Sequence, residues 1–157
     1  METIYDGNID EFISKGNRIL SFGASWCADC LPFGWRLGFI EKIAREAEIN
    51  EQELRFGKVN LDGHSKGPAP VREIKRAEGP YSEFRDGFNG TSEGWLKKLP
   101  ITYLLRDGDI IDSFLVQDVP TNKSLAGRIN EVFRYELKTR KLQENVDYVS
   151  GAVVRLW

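Results

Sequence analysis

The chain holds 157 residues, 41% of them hydrophobic and 29% charged, with a formal net charge of -2. That is enough apolar material for one globular domain with a sizeable core, and it requires no second domain. Near-neutral charge gives no general case for nucleic acid, no apolar stretch approaches a membrane span, and Met1-Glu2-Thr3-Ile4-Tyr5-Asp6 lacks the basic and apolar regions of a secretory leader, so the expectation is a cytoplasmic protein without nucleic-acid or membrane partners.

Asn8 is placed to cap a short helix over Ile9 to Lys15, closed by Gly16, with Ile9, Phe12 and Ile13 on one face. The run from Arg18 to Ala24 predicts a buried strand. Directly after it, Trp26-Cys27-Ala28-Asp29-Cys30 carries both cysteines of the chain. Three residues of extended chain hold two Cα atoms roughly 10 Å apart, whereas one helical turn brings i and i+3 to about 5 to 6 Å, within reach of a disulfide. With a helix opening at Cys27, the pair rides its first turn and can close and open without large backbone movement. The unpaired N–H groups and partial positive charge of a helix start favour a thiolate, drawing a cysteine pKa from about 8.5 toward about 7 or below. Cys27, nearest that end, is then the candidate nucleophile. Cys30, one turn inside and expected to lie deeper, is the candidate resolving thiol that attacks the sulfur of Cys27 in a mixed disulfide.

Phe33, Leu37, Ile40, Ala44 and Ala47 recur at helical spacing, which predicts a long helix to about Glu48; Pro32 is tolerated in its first turn or two, and Gly34 and Gly38 permit close packing or a kink. Leu54 to Asp62 reads as a second strand, so strand, helix and strand form a βαβ unit with parallel strands and a right-handed crossover. Residues 63–98 are rich in glycine, proline and charge, with a short helix expected at Val71 to Ala77 and with Tyr81, Phe84, Phe88 and Trp95 supplying apolar surface that needs a packing partner. Pro100 to Arg106, the turn Asp107-Gly108 and Ile110 to Val116 predict a hairpin. Leu125, Ile129, Val132, Phe133 and Leu137 put an apolar stripe on a last helix from about Thr121 to Leu142, whose basic flank reads as a solvated face. The tail from Asp147 to Trp157 alternates weakly, compatible with an added strand.

A bridge enclosing so few residues constrains little of the unfolded chain, so the cysteine pair points to catalysis or metal binding rather than to a structural staple. Zinc wants four ligands of the right type, and the sequence offers no second Cys-x-x-Cys and only His64, read as an ordinary loop histidine; a metal would have to bridge two subunits. Asn89-Gly90-Thr91 and Asn122-Lys123-Ser124 fit the glycosylation pattern, but such short matches are common and the expected compartment leaves them unused.

A strand ending in Trp-Cys-x-x-Cys, a long helix, a strand reading Lys58-Val59-Asn60-Leu61-Asp62, a proline opening a hairpin strand and a terminal helix together resemble the thioredoxin family over about residues 8 to 142. The resemblance implies an α/β, thioredoxin-like fold: one domain with a central mixed sheet flanked by helices, residues 63–98 as an insertion before the proline strand and 143–157 as a C-terminal extension. It implies that Cys27 attacks, Cys30 resolves, and Trp26 lies as a flat side chain beside the site. It further implies that Pro100 is a cis-proline facing the disulfide and that the backbone of Leu99 pairs with an extended substrate. Lys58 matches the lysine that in this family pairs with a buried acid, and Ser21 stands where that acid would be, so proton delivery to Cys30 has to run through water, Lys58 or Asp29. Ala28-Asp29 replaces the family's Gly-Pro. An anion there opposes the helix dipole, which predicts a Cys27 pKa nearer about 7 than about 4 and a reducing couple.

The implied function is a thiol–disulfide oxidoreductase acting on disulfide-containing protein substrates. Its only redox group is its own disulfide, recharged by an electron-donating thiol protein or a flavoprotein reductase, and the insertion borders the site and selects partners. Two other readings stay open: a peptide- or protein-binding module on the same fold, its thiols incidental or redox-gated, and a subunit-bridging metal or iron–sulfur site.

Overall fold

Ile19, Leu20 and Phe22 make β2 (Asn17–Gly23) apolar on both of its faces, and such a strand is stable only with cover above and below. The computed structural model, which describes residues 1–5, 7–25, 27–60, 99–137, 148–149 and 152–153, places it at the centre of a five-stranded sheet. β3 (Leu54–Asn60) lies parallel to β2 with Ile19 beside Phe56 and Ser21 beside Lys58. β4 (Ile101–Arg106) runs antiparallel on the other side, setting Thr102 beside Ser21, and β5 (Asp109–Leu115) completes the hairpin. A two-residue β1 (Glu2–Thr3), too short to leave a sequence signal, pairs parallel with β3, giving the order β1-β3-β2-β4-β5. The predicted mixed sheet is therefore present, with the β2–helix–β3 unit parallel.

The helix between β2 and β3 is α2 (Cys30–Glu46). Its Phe33, Leu37, Ile40 and Ile43 bury against Ile19, Phe56, Leu104 and Phe114 of the sheet and against Leu125, Ile129 and Phe133 of α3 (Asn122–Phe133). The opposite face of the sheet packs Leu20, Phe22, Val59, Tyr103 and Leu105 against Ile9, Phe12 and Ile13 of α1 (Ile9–Ile13). Gly57 is needed there: a Cβ on it would stand 2.7 Å from both Phe12 and Ile4 side-chain atoms.

Several boundaries depart from the sequence expectation. α1 stops at Ile13, two residues short of Lys15, and the Asn8 side chain does not cap it; its Oδ1 accepts from the Tyr5 N–H at 2.8 Å and its Nδ2 donates to the Thr3 carbonyl at 3.0 Å instead. α2 opens at Cys30 rather than Cys27. Pro32 explains this, being the third helical residue, where its missing N–H is among those with no intrahelical partner; in a helix begun at Cys27 it would be the sixth and would break the ladder. α3 ends at Phe133, well before Leu142, because Arg134 takes the left-handed conformation at φ 60°. The chain then folds back, and the Asn130 side chain accepts from the Leu137 N–H at 2.7 Å while donating to its carbonyl at 3.3 Å, so Leu137 still reaches the core. Two short strands, β6 (Tyr148–Val149) and β7 (Ala152–Val153), pair with each other in place of the single added strand expected in the tail. The insertion at 63–98, with the helix expected in it, and the close of the strand at Leu61 and Asp62 lie outside the described residues.

The end of the sheet away from the cysteines is tied together by polar contacts. Arg18, 4% exposed, donates to the carbonyls of Phe12 at 2.6 Å, Asn17 at 2.9 Å and Glu53 at 3.2 Å. The Tyr135 hydroxyl accepts from Asn17 Nδ2 at 2.7 Å and donates to Glu53 Oε1 at 3.0 Å. Gly16 and Asp107 exchange two bonds, the Gly16 N–H to the Asp107 carboxylate at 2.8 Å and the Asp107 N–H to the Gly16 carbonyl at 3.0 Å. On β5, after a bulge between Leu104 and Leu105 of its partner, Asp112 is held by Arg128 of α3 through contacts of 2.5 and 2.9 Å.

Candidate functional site

Past Gly23 the chain leaves β2 and turns through Ala24 and Ser25 toward the cysteines. The Cys27 N–H donates to the Ala24 carbonyl at 3.2 Å, the Cys30 N–H to the Cys27 carbonyl at 3.3 Å, and the Phe33 N–H to the Asp29 carbonyl at 3.0 Å, which is the first bond of α2. This succession of turns delivers the pair at a Cα separation of 5.5 Å, bonded as a disulfide and inside the 5 to 6 Å that a helical i, i+3 pair supplies. Gly23 makes room for it, since a Cβ there would lie 3.2 Å from both the Cβ and the Sγ of Cys30. Both cysteines are half-buried, so the deeper placement expected for Cys30 is not a clear division between them.

The sulfurs open onto a cavity of about 370 Å³ whose wall includes Ser21, Leu31, Lys58, Asn60 and Pro100. The Leu99–Pro100 peptide bond is cis, and both residues are buried at the start of β4. Lys58 is exposed on β3 at the cavity wall. Its neighbour across the strands, Ser21, is buried at 8% exposure, and Ser21 Oγ accepts a hydrogen bond from the fully buried Thr102 Oγ1 at 3.2 Å. Lys58 and Ser21 thus put an amine and a hydroxyl on the wall of the cavity that the sulfurs line; among the described residues, no carboxylate lines it. Asp29 occupies the N-cap position of α2, half-buried, without a capping bond from its side chain. Trp26, His64 and the insertion lie outside the described residues. Among the described residues, no group of three or more His, Cys, Asp or Glu side chains could hold a metal ion.

Three neighbours of the site left no mark on the sequence reading. Leu31 and Trp35 fall off the apolar stripe of α2 and stand exposed at 65% and 55%. Arg36, by contrast, is 3% exposed, its guanidinium 5.3 Å over the Phe33 ring and donating to the Val119 carbonyl and to Asn122 Oδ1 at 3.1 Å. Burial pushes its pKa down to about 10, leaving it a cation at neutral pH. It fastens α2 to the start of α3, and the only signal available in the sequence was a charged residue beside the predicted core stripe.

Chemically, the arrangement is a closed two-sulfur couple on a short turn, reachable from a cavity with apolar, hydroxyl and ammonium walls. No protein-family model matches the chain, and no curated protein sequence matches it. Among solved structures it is similar to a crystal form of human ERp44, a thioredoxin-family protein, with a TM-score of 0.57, 20% identity and 83% of this chain covered against 29% of that one. The zinc-bound form of human ERp44 gives the same TM-score and identity, with 83% and 30% covered. The chain spans less than a third of the length of these neighbours. The likeness establishes the fold, which is thioredoxin-like and of the α/β class.

Proposed function

We propose that this thioredoxin-fold chain is a thiol–disulfide oxidoreductase that reduces disulfides in protein substrates through the Cys27–Cys30 couple. The observation that carries the reading is the bonded pair at a Cα separation of 5.5 Å on the wall of an open cavity. In the reduced chain the Cys27 thiolate attacks one sulfur of a substrate disulfide. The substrate S–S bond breaks, the other substrate sulfur leaves as a thiolate, and a mixed disulfide forms. Cys30 then loses its proton and attacks Cys27 Sγ, releasing the second substrate thiol; the protein gives up two electrons and the substrate gains them. Trp26, Leu99 and Pro100 are the proposed substrate contacts. Asp29 and Lys58 are the proposed supports, with cavity water or the Asp29 carboxylate receiving the Cys30 proton and the Lys58 ammonium, on the same cavity wall, favouring the thiolate that results. A thiol protein or a flavoprotein reductase would restore the dithiol, with no further cofactor, in a cytoplasmic setting.

A cavity wall without a carboxylate among the described residues favours one alternative, a peptide-binding module whose thiols turn over slowly. Insulin reduction with dithiothreitol separates the two. The parent should be faster than Cys27→Ser by at least about a hundredfold over background; equal rates remove the enzyme reading.

A further inference from the structure

Among the described residues, three large hydrophobic side chains are exposed: Leu31 at 65%, Trp35 at 55% and Ile111 at 40%. Two of the three sit on α2 immediately after the disulfide. Leu31 follows Cys30 directly and lines the same cavity as both sulfurs, and Trp35 is four residues further, one turn along the same helix face. Between them Gly34 presents bare backbone, with nothing within 4 Å of where its Cβ would stand. The cavity therefore does not end at its rim. Its apolar wall runs out along α2 as a ledge about 7 Å long, from Cys30 to Trp35. Two or three residues of extended chain span that distance.

We infer that the ledge formed by Leu31 and Trp35 is the recognition surface for apolar residues lying within about three positions of the substrate's disulfide cysteine. The inference rests on the oxidoreductase reading and names its substrate class. A partner sulfur that reaches Cys27 must lay its neighbouring residues on the walls beside the couple, and on the α2 side that wall is aliphatic, then bare backbone, then indole. A polar neighbour placed there would lose water and find no hydrogen-bonding group in Leu31 and a single N–H donor in the Trp35 indole. An apolar neighbour would cover two side chains that otherwise remain against water.

The probe is a pair of symmetrical peptide disulfides, each from heptapeptides with a lysine at both ends, a central cysteine and either four leucines or four serines between. Equal charge keeps the two cysteines comparable, and dithiothreitol supplies the reagent's own rate ratio. Release of peptide thiol, followed by chromatography, should be about tenfold faster for the leucine peptide than for the serine peptide after that correction. Trp35→Ser and Leu31→Ser should each shrink the ratio to about threefold, while Ile111→Ser on β5 should keep it at about tenfold. A corrected ratio near one in the parent, or a ratio unmoved in both α2 variants, overturns the inference. Reduction of glutathione disulfide with neither peptide turned over also overturns it and leaves the oxidoreductase standing. Failure to reduce glutathione disulfide and both peptides removes the oxidoreductase itself.

Discussion

At one end of the central sheet, Asn17, Arg18 and Gly16 are held by carbonyls, a tyrosine hydroxyl and a turn carboxylate drawn from distant parts of the chain. At the other end, where β2 and β3 finish, Gly23 and Asn60 give onto an open cavity with a disulfide on its wall. The same seven-residue strand carries both arrangements, one at each end. The latched end has its backbone groups satisfied internally, so opening it breaks several bonds at once. The cavity end has exposed lysine and leucine side chains and a couple held by short turns, where a partner can enter without dismantling the core. Stability and chemistry are thus separated along one strand, which lets either be altered with little effect on the other.

The sharpest way to break that separation is Arg18→Met. It deprives four carbonyls, those of Phe12, Asn17, Gln52 and Glu53, of a charged donor and should lower stability by about 3 kcal/mol, read from urea unfolding, with the reaction of the folded disulfide with dithiothreitol unchanged. A change in that reaction would mean that the two ends are coupled. Tyr135→Phe is a milder cut at the same end, worth about 1 kcal/mol. Burial, above all, raises the Tyr135 phenol above its ordinary value, so its contribution is complete below about pH 10 and is lost as pH rises through the higher folded-state value. The phenylalanine variant should therefore lose less stability in alkali than the parent does.

At the cavity end, Asp29→Asn removes an anion from the start of α2. It should make Cys27 of the reduced chain react with iodoacetamide about two- to threefold faster near neutral pH, with urea unfolding little changed. Between the two ends, the hydrogen bonds from Arg128 hold the Asp112 carboxyl below its ordinary range. The pair stabilises fully above about pH 4 and loses its effect as pH falls through the lowered folded-state value, so Asp112→Asn should flatten the acid limb of the stability curve by less than about 1 kcal/mol.

The β2–α2–β3 unit was legible because Ile19, Leu20 and Phe22 form an unbroken apolar run and Phe33, Leu37 and Ile40 keep one helical face. The hairpin was legible because Asp107-Gly108 supplies the two positive-φ residues its turn uses, at 49° and 90°. The end of α3 was hidden since Leu137 keeps helical spacing from Phe133 while reaching the core by a different path, through a left-handed Arg134 and the Asn130 bracket. At the site, the spacing of Cys27 and Cys30 announced their contact, because i, i+3 geometry depends on local turns alone. The surroundings of Ser21, Lys58 and Arg36 depend on cross-strand register and on where α3 begins, which no local pattern encodes.

The bulge between Leu104 and Leu105 and the Asp112–Arg128 pair bear on a different problem, that of chains sticking to one another. An outermost strand offers unpaired amides and carbonyls to any passing strand, and a flat one invites stacking into fibrils. An irregularity that warps β5, with a carboxylate and a guanidinium clasped beside it, makes that rim a poor template for a neighbour. A crowded solution should therefore leave this flank single, and loss of the Asp112–Arg128 clasp should reveal itself first as turbidity at high protein concentration.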